Sequence, residues 1–190
     1  MEQLPRLTIS DRILARTILP LIPGSCRPNH VTVARFVGTP FVVWLLWVGN
    51  YQLGLIAFIL TACTDALDGA LARVRNQITP WGKVYDPLAD KLLICLSITV
   101  LMFRVLDRRL AVLVILLELA IVISAVYKRI QDCEIQANRW GKIKMLLQVG
   151  GIISAVLTLL TAQPFFATLG FALLSLSLVF GLISLYTYSA

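Results

Sequence analysis

Six long apolar stretches, separated by short polar segments, run along this chain. Their approximate limits are Val31–Val48, Leu53–Leu71, Asp86–Phe103, Leu110–Tyr127, Ile143–Thr161 and Phe165–Tyr188. A helix needs about 20 mostly apolar residues to cross the ~30 Å hydrocarbon layer of a bilayer. The pattern therefore predicts an all-α, polytopic membrane protein with six transmembrane helices.

The residues before the first span follow a different pattern. Between Leu7 and Leu21, apolar residues are interleaved with arginines, which makes the segment too charged to cross a membrane. Such a pattern is typical of an amphipathic helix at the membrane interface. We expect residues 1–27 to form this interfacial segment and a single membrane domain to account for residues 1–190, because the sequence has no internal repeat and no separate soluble stretch.

Composition and charge narrow the class of protein further. Of 190 residues, 58% are hydrophobic and 14% charged, which is outside the composition of soluble domains. The net charge of +7 is spread between the apolar stretches rather than gathered in one tract. Such charges are typical of loops that meet anionic lipid headgroups, and we expect no nucleic-acid partner.

The basic residues are distributed unequally between the two sides of the predicted topology. Fourteen of the 17 Lys and Arg residues lie in the N-terminal region up to Arg35, around the second connection between spans or around the fourth. The opposite side holds the other three, Arg104, Arg108 and Arg109. Because basic residues collect on the cytoplasmic side, we expect a cytoplasmic N-terminus in an inner or cytoplasmic membrane.

Four of the ten acidic residues fall in one 26-residue window at the end of span two and the start of span three. Asp65 and Asp68 are three residues apart and Asp86 and Asp90 are four apart, so each pair shares a helix face. Carboxylates at membrane depth are costly, and four together repel unless protons or cations neutralise them. Ligands that are all oxygens favour a hard cation such as Mg²⁺ or Mn²⁺.

The residues around the aspartates suit phosphate chemistry. Gly69, Ala72 and Gly82 keep the helix faces slim enough for a large substrate to approach, and Arg73 offers a planar fork for phosphate. Metal ions bridge phosphate oxygens in such sites, while a spare carboxylate accepts a proton from the nucleophile. The window therefore predicts a phosphoryl-transfer site that opens to the cytoplasm.

Simpler interpretations exist for single members of this set. Asp86 followed by Pro87 is typical of a helix N-cap with Pro at the first helical position. Gly69 and Ala72 are typical of contacts between membrane helices. A function of another class is a divalent-cation transporter whose aspartates coordinate the transported ion, but the two matching halves typical of transporters are not visible.

The spacing of these residues forms a pattern with eight fixed positions, Asp65-x2-Asp68-Gly69-x2-Ala72-Arg73-x8-Gly82-x3-Asp86-x3-Asp90. This pattern resembles the signature of the CDP-alcohol phosphatidyltransferases, and the resemblance covers essentially the whole chain. It implies that a homodimer transfers a phosphatidyl-type group from CDP-diacylglycerol to a small alcohol, with release of CMP.

The resemblance also implies a role for each residue of the pattern. Two divalent ions, Mg²⁺ or Mn²⁺, would be held by Asp65, Asp68 and Asp86, with Asp90 near them. Asp90 would also be the general base for the acceptor hydroxyl. The CDP-lipid would contact Gly69, Ala72, Arg73 and Gly82.

Within the family, the chain is most similar to the phosphatidylglycerophosphate synthases. The similarity lies in Pro28-Asn29-x2-Thr32-x2-Arg35, Asp86-Pro87-Leu88-Ala89-Asp90-Lys91 and Gly141-Lys142-Ile143-Lys144. It implies glycerol 3-phosphate as acceptor, with inositol phosphate, serine and phosphatidylglycerol as alternatives. The expected cationic contacts to an acceptor phosphate are Arg35, Arg139, Lys142 and Lys144. Loop charges that meet anionic lipid are the other interpretation of these residues.

One position departs from the synthase pattern. Those synthases usually carry Arg-Glu in the fourth span, where this chain has Leu117-Glu118. Glu118 is thus a lone acid in an apolar run. We expect it either to bind a nearby Arg or Lys or to be protonated.

The charge distribution predicts which loops face the cytoplasm. In a background without native cysteines, a cysteine placed in Arg129–Ala137 should react with an impermeant reagent from the cytoplasmic side. A cysteine in Gly49–Gln52 should react from the outer side. The opposite labelling would contradict a site that opens to the cytoplasm.

Overall fold

The structure, a computed structural model, describes residues 28–74, 82–130 and 139–189. Within these residues the chain forms six helices: α1 Pro28–Trp47, α2 Tyr51–Val74, α3 Gly82–Met102, α4 Arg108–Ile130, α5 Arg139–Thr161 and α6 Pro164–Ser189. Each predicted span falls on one of them, so the all-α class is confirmed. The predicted interfacial helix before residue 28 lies outside the described residues.

Among the described residues, three helices are long and apolar enough to cross a membrane. The qualifying stretches are Arg108–Lys128 in α4, Arg139–Thr161 in α5 and Pro164–Thr187 in α6. In α1 and α2 the apolar stretches that fall within the fully described residues are shorter, Val31–Trp47 and Tyr51–Thr64. The number of six spans therefore stays a prediction, with three of them supported by length and composition.

A tight turn joins α1 to α2. Gly49 adopts a left-handed conformation with φ of 84°, which a residue without Cβ adopts at little cost. The Asn50 N–H donates to the Leu45 carbonyl at 3.0 Å and the Gly49 N–H to Leu46 at 3.4 Å, the pair of bonds that closes a helix C-terminus. The Asn50 side chain then accepts from the Leu53 N–H at 3.3 Å and caps α2.

The start of α3 differs from the sequence prediction. The helix begins at Gly82, four residues before Asp86. The interpretation of Asp86 as an N-cap is therefore wrong, because Asp86 and Pro87 both lie inside the helix. A residue that does cap a helix is Asp107, whose Oδ1 accepts from the Leu110 N–H at 2.9 Å at the start of α4.

The helices contribute to two compact units. Among the described residues, the first unit contains the chain up to Val42 and Ile56–Leu92. In it α1 and α2 approach closely at Gly38, where an added Cβ would lie 3.2 Å from Oγ1 of Thr61. The ring of Phe36 on α1 packs edge-on against Tyr85 on α3, with ring centroids 6.5 Å apart. The predicted aspartate site belongs to this unit.

The second unit contains Val43–Leu55 and the chain from Leu93 onward. Small residues bring its last two helices together: a Cβ on Gly170 of α6 would lie 3.3 Å from the Gly151 carbonyl oxygen of α5. Close contact through small residues is the usual way in which membrane helices associate, since burial from lipid supplies little hydrophobic driving force.

Candidate active site

A buried ion pair lies at the start of α3 in the first unit. Arg35 of α1 has a side chain that is 0% exposed, and its Nη1 donates to Oδ1 of Asp90, which is 16% exposed. A charge buried this deeply is stable only when it is paired and hydrogen-bonded. The pair joins α1 to α3 across 55 residues of sequence.

A threonine on α2 completes the arrangement. Nε of Arg35 donates to Oγ1 of Thr64 at 3.2 Å. The Thr64 hydroxyl donates its own proton to the Thr61 carbonyl oxygen, at 2.6 Å. Towards Arg35 it can therefore act only as an acceptor. Three helices are thus connected through one guanidinium. Thr64 directly precedes Asp65 in the chain.

The other predicted metal ligands lie on the same two helices. The α2 helix continues through Asp65 and Asp68, and α3 includes Asp86. Their side chains lie outside the described part of the structure, so the four-carboxylate cluster stays a prediction. The same holds for the expected CDP-lipid contacts, Gly69, Ala72, Arg73 and Gly82.

The donor chemistry fits a divalent cation. Asp90 presents a partly exposed carboxylate, and the α2 and α3 segments that carry the four aspartates belong to one compact unit. Carboxylate oxygens are the ligands that Mg²⁺ and Mn²⁺ prefer. Arg35 contributes one positive charge to this acidic region.

A second buried polar cluster lies in the second unit, between α4 and α5. Glu118 is 2% exposed, and its Oε1 accepts from Nζ of Lys144 at 2.5 Å and from Nε2 of Gln148 at 2.7 Å. The expectation that Glu118 binds a nearby Lys or Arg is therefore confirmed. Lys144 and Gln148 are four residues apart and meet the same carboxylate from one face of α5.

The predicted acceptor contacts differ in their surroundings. Arg139 and Lys142 are exposed, whereas the Lys144 side chain is only 7% exposed and lies on Glu118. An acceptor phosphate at Lys144 would have to share the ammonium with that carboxylate. Arg35 is fully buried against Asp90. Acceptor binding by these four residues stays a prediction.

Sequence reasoning missed two residues of these clusters. The signal that could have identified Thr64 is its position directly before Asp65, the first residue of the aspartate pattern. Gln148 is a polar residue inside an apolar span, one helical turn after Lys144. A polar pair at that spacing indicates a shared buried partner, because polar groups in lipid need hydrogen bonds.

The sequence matches a known family. Residues 26–183 fit the family model described as CDP-alcohol phosphatidyltransferase, which covers most of the 190 residues. The chain therefore belongs to the CDP-alcohol phosphatidyltransferase family. Together with its apolar helices, this membership makes it an integral membrane phosphatidyltransferase.

Relatives in that family carry a common name, CDP-diacylglycerol–glycerol-3-phosphate 3-phosphatidyltransferase. The protein of this name from Rickettsia typhi is 32% identical over 126 residues, 64% of this chain and 71% of that protein. The one from Bacillus subtilis is 32% identical over 146 residues, 68% of this chain and 76% of its own length. The one from Aquifex aeolicus is 39% identical over a shorter stretch of 64 residues, 34% of this chain and 36% of its own.

The Glu118 cluster predicts that the two nearby lysines differ in their contribution to stability. Lys144→Ala would leave Glu118 buried without its cation, which costs about 3–5 kcal/mol. Lys142→Ala removes an exposed side chain and should change the unfolding temperature little. Thermal unfolding of each variant in detergent measures this difference.

A compensating change tests the cause of that loss. Adding Glu118→Gln to Lys144→Ala removes the unpaired charge and should recover part of the lost stability, with Gln148 still able to bond the amide. Equal stability of Lys142→Ala and Lys144→Ala would contradict a structural ion pair at Glu118.

Proposed function

We propose that this chain transfers the phosphatidyl group of CDP-diacylglycerol to glycerol 3-phosphate, forming phosphatidylglycerophosphate and releasing CMP. The observation that carries the proposal is the shared name of its relatives. The Bacillus subtilis protein with that name aligns with 68% of this chain. The similarity of the Asp86–Lys91 and Gly141–Lys144 segments to the synthases supports the same acceptor.

In this proposal, two divalent ions, Mg²⁺ or Mn²⁺, are held by Asp65, Asp68, Asp86 and Asp90. When bound there, the ions would neutralise the pyrophosphate of the CDP-lipid and the negative charge that develops on CMP. Gly69, Ala72 and Gly82 would leave room for the CDP group, and Arg73 would contact its phosphates. This list of contacts follows the family pattern residue by residue.

Asp90 would be the general base. The acceptor hydroxyl oxygen attacks the phosphorus nearer the lipid, the bond from that phosphorus to the CMP oxygen breaks, and the hydroxyl proton passes to Asp90. A base must be within hydrogen-bond reach of the hydroxyl, and the partial exposure of Asp90, at 16%, is compatible with access by a small alcohol.

On the acceptor side, Arg139 and Lys142 are exposed cations at the start of α5 that suit a phosphorylated alcohol. In this proposal the site opens to the cytoplasm, the side on which the basic residues collect, and the enzyme works as a homodimer. The lipid tails of CDP-diacylglycerol stay in the membrane while its headgroup meets the acceptor from water.

A divalent-cation transporter is the alternative of another class. It would also explain acidic residues at membrane depth. Membership in a transferase family favours the enzyme. The transfer reaction gives a role to all eight positions of the pattern. Flux of Mg²⁺ into proteoliposomes without CDP-lipid would support the transporter instead.

The choice of acceptor can be tested directly. Purified protein with CDP-diacylglycerol and Mg²⁺ should release CMP fastest when glycerol 3-phosphate is offered, compared singly with serine, inositol phosphate and phosphatidylglycerol. Faster release with one of the other three would reassign the acceptor, and no release with any of them would overturn the proposed function.

Substitutions of Asp90 and Asp65 should have different effects on lipid binding and turnover. Asp90→Asn should abolish turnover and largely spare CDP-lipid binding, because the base acts only when the hydroxyl loses its proton. Asp65→Asn should weaken Mg²⁺-dependent CDP-lipid binding, because the pyrophosphate loses its counter-charge. The two measurements are lipid binding and CMP release for each variant. Loss of binding in Asp90→Asn as large as in Asp65→Asn would make Asp90 mainly a ligand.

A further inference from the structure

We propose that Arg35 is a positioning residue for Asp90, and that Thr64 fixes Arg35 for this task. The inference rests on the proposed function, in which Asp90 serves the reaction. It departs from the expectation that Arg35 contacts the acceptor phosphate. The observation behind it is the single guanidinium that joins α1, α2 and α3 beside Asp90.

Burial is the first argument. The Arg35 side chain is 0% exposed, and two of its donors already have partners, Thr64 and Asp90. A substrate phosphate that took over the Nη1 donor would displace the Asp90 carboxylate. That exchange would unpair a buried carboxylate, which is costly. Arg35 is therefore better placed to hold Asp90 than to bind substrate.

Geometry is the second argument. The guanidinium is planar and its donors have fixed directions, so fixing one of them fixes the others. Nε of Arg35 is held by Thr64, whose hydroxyl is itself oriented by the Thr61 carbonyl. The direction of the Nη1 bond to Asp90 follows from that arrangement. A lysine at position 35 would supply the charge but not the direction.

Charge is the third argument. Asp90 is expected to work beside three further carboxylates, which repel one another in a medium of low dielectric constant. A buried cation on Asp90 offsets part of that repulsion and keeps the start of α3 against α1 and α2. The carboxylate then stays in one orientation while substrates enter and leave.

Kinetics distinguishes positioning from acceptor binding. Arg35→Gln should lower kcat on the order of 100-fold, the scale expected when a catalytic group is misplaced by about 1 Å. The apparent KM for glycerol 3-phosphate should stay within about twofold of wild type, because no acceptor contact is lost. Arg35→Lys should recover only part of kcat.

A matched pair of threonine variants provides the second measurement. Thr64→Val removes the acceptor for Nε and should lower kcat by roughly 3- to 10-fold, while Thr64→Ser should recover most of that loss. Thr99→Val is the control, since the part-buried Thr99 hydroxyl donates to the Cys95 carbonyl of its own helix, at 2.7 Å, and takes no part in the arrangement around Arg35. It should leave kcat unchanged. If Arg35→Gln does not fold, the kcat of Thr64→Val compared with that of its control tests the proposal.

Two results would overturn the proposal. One is a rise in KM for the acceptor that exceeds the fall in kcat in Arg35→Gln, which would make Arg35 an acceptor contact. The other is an equal kcat for Thr64→Val and Thr99→Val.

Failure of the proposed function has a separate signature. If wild-type protein releases no CMP with any alcohol, the proposed function is overturned. The pairing of Arg35 with Asp90 is then tested by thermal unfolding in the presence of EDTA. In a double-mutant cycle of Arg35→Gln and Asp90→Asn, losses of unfolding temperature that are less than additive support the pairing, and additive losses overturn it.

Discussion

Charge inside a medium of low dielectric constant is the constraint on which this molecule depends. A carboxylate or a guanidinium away from water is stable only with an opposite charge and filled hydrogen bonds. The described residues satisfy this requirement with Arg35 on Asp90 in one unit and Lys144 on Glu118 in the other. Each pair joins two different helices, across 55 residues of sequence for Arg35 and Asp90 and 26 for Glu118 and Lys144, so neutralising the charge also holds those helices together.

The two pairs serve the protein differently. Glu118 and Lys144 are both almost completely buried, and Gln148 fills a further acceptor position, which is typical of a closed structural cluster. Asp90 keeps part of its surface exposed while its partner is fully buried. A carboxylate with one side fixed and the other accessible combines a defined orientation with room for a reactant. This asymmetry is compatible with the role proposed for Asp90.

Much of the architecture follows from local patterns in the sequence. Six apolar runs predict the helices, and the spacing of the aspartates identifies the family. The partners of Arg35 and Glu118 lie 55 and 26 residues away, and no local pattern encodes such distances. The predicted start of α3 at Asp86 was wrong for another reason. Asp86-Pro87 is a strong local signal for a helix start, yet the helix begins a turn earlier, at Gly82.

The packing of Leu117 limits how this chain can evolve. A Cβ on Gly181 would lie 2.3 Å from Cδ2 of Leu117 and 3.3 Å from Cδ of Lys144. A larger residue at 181 therefore has to move both neighbours, and Lys144 is the cation on Glu118. Position 181 can accept a larger residue where the end of the Leu117 side chain turns away or where position 117 carries a smaller residue. The tolerance of position 181 to substitution thus depends on the residue at 117.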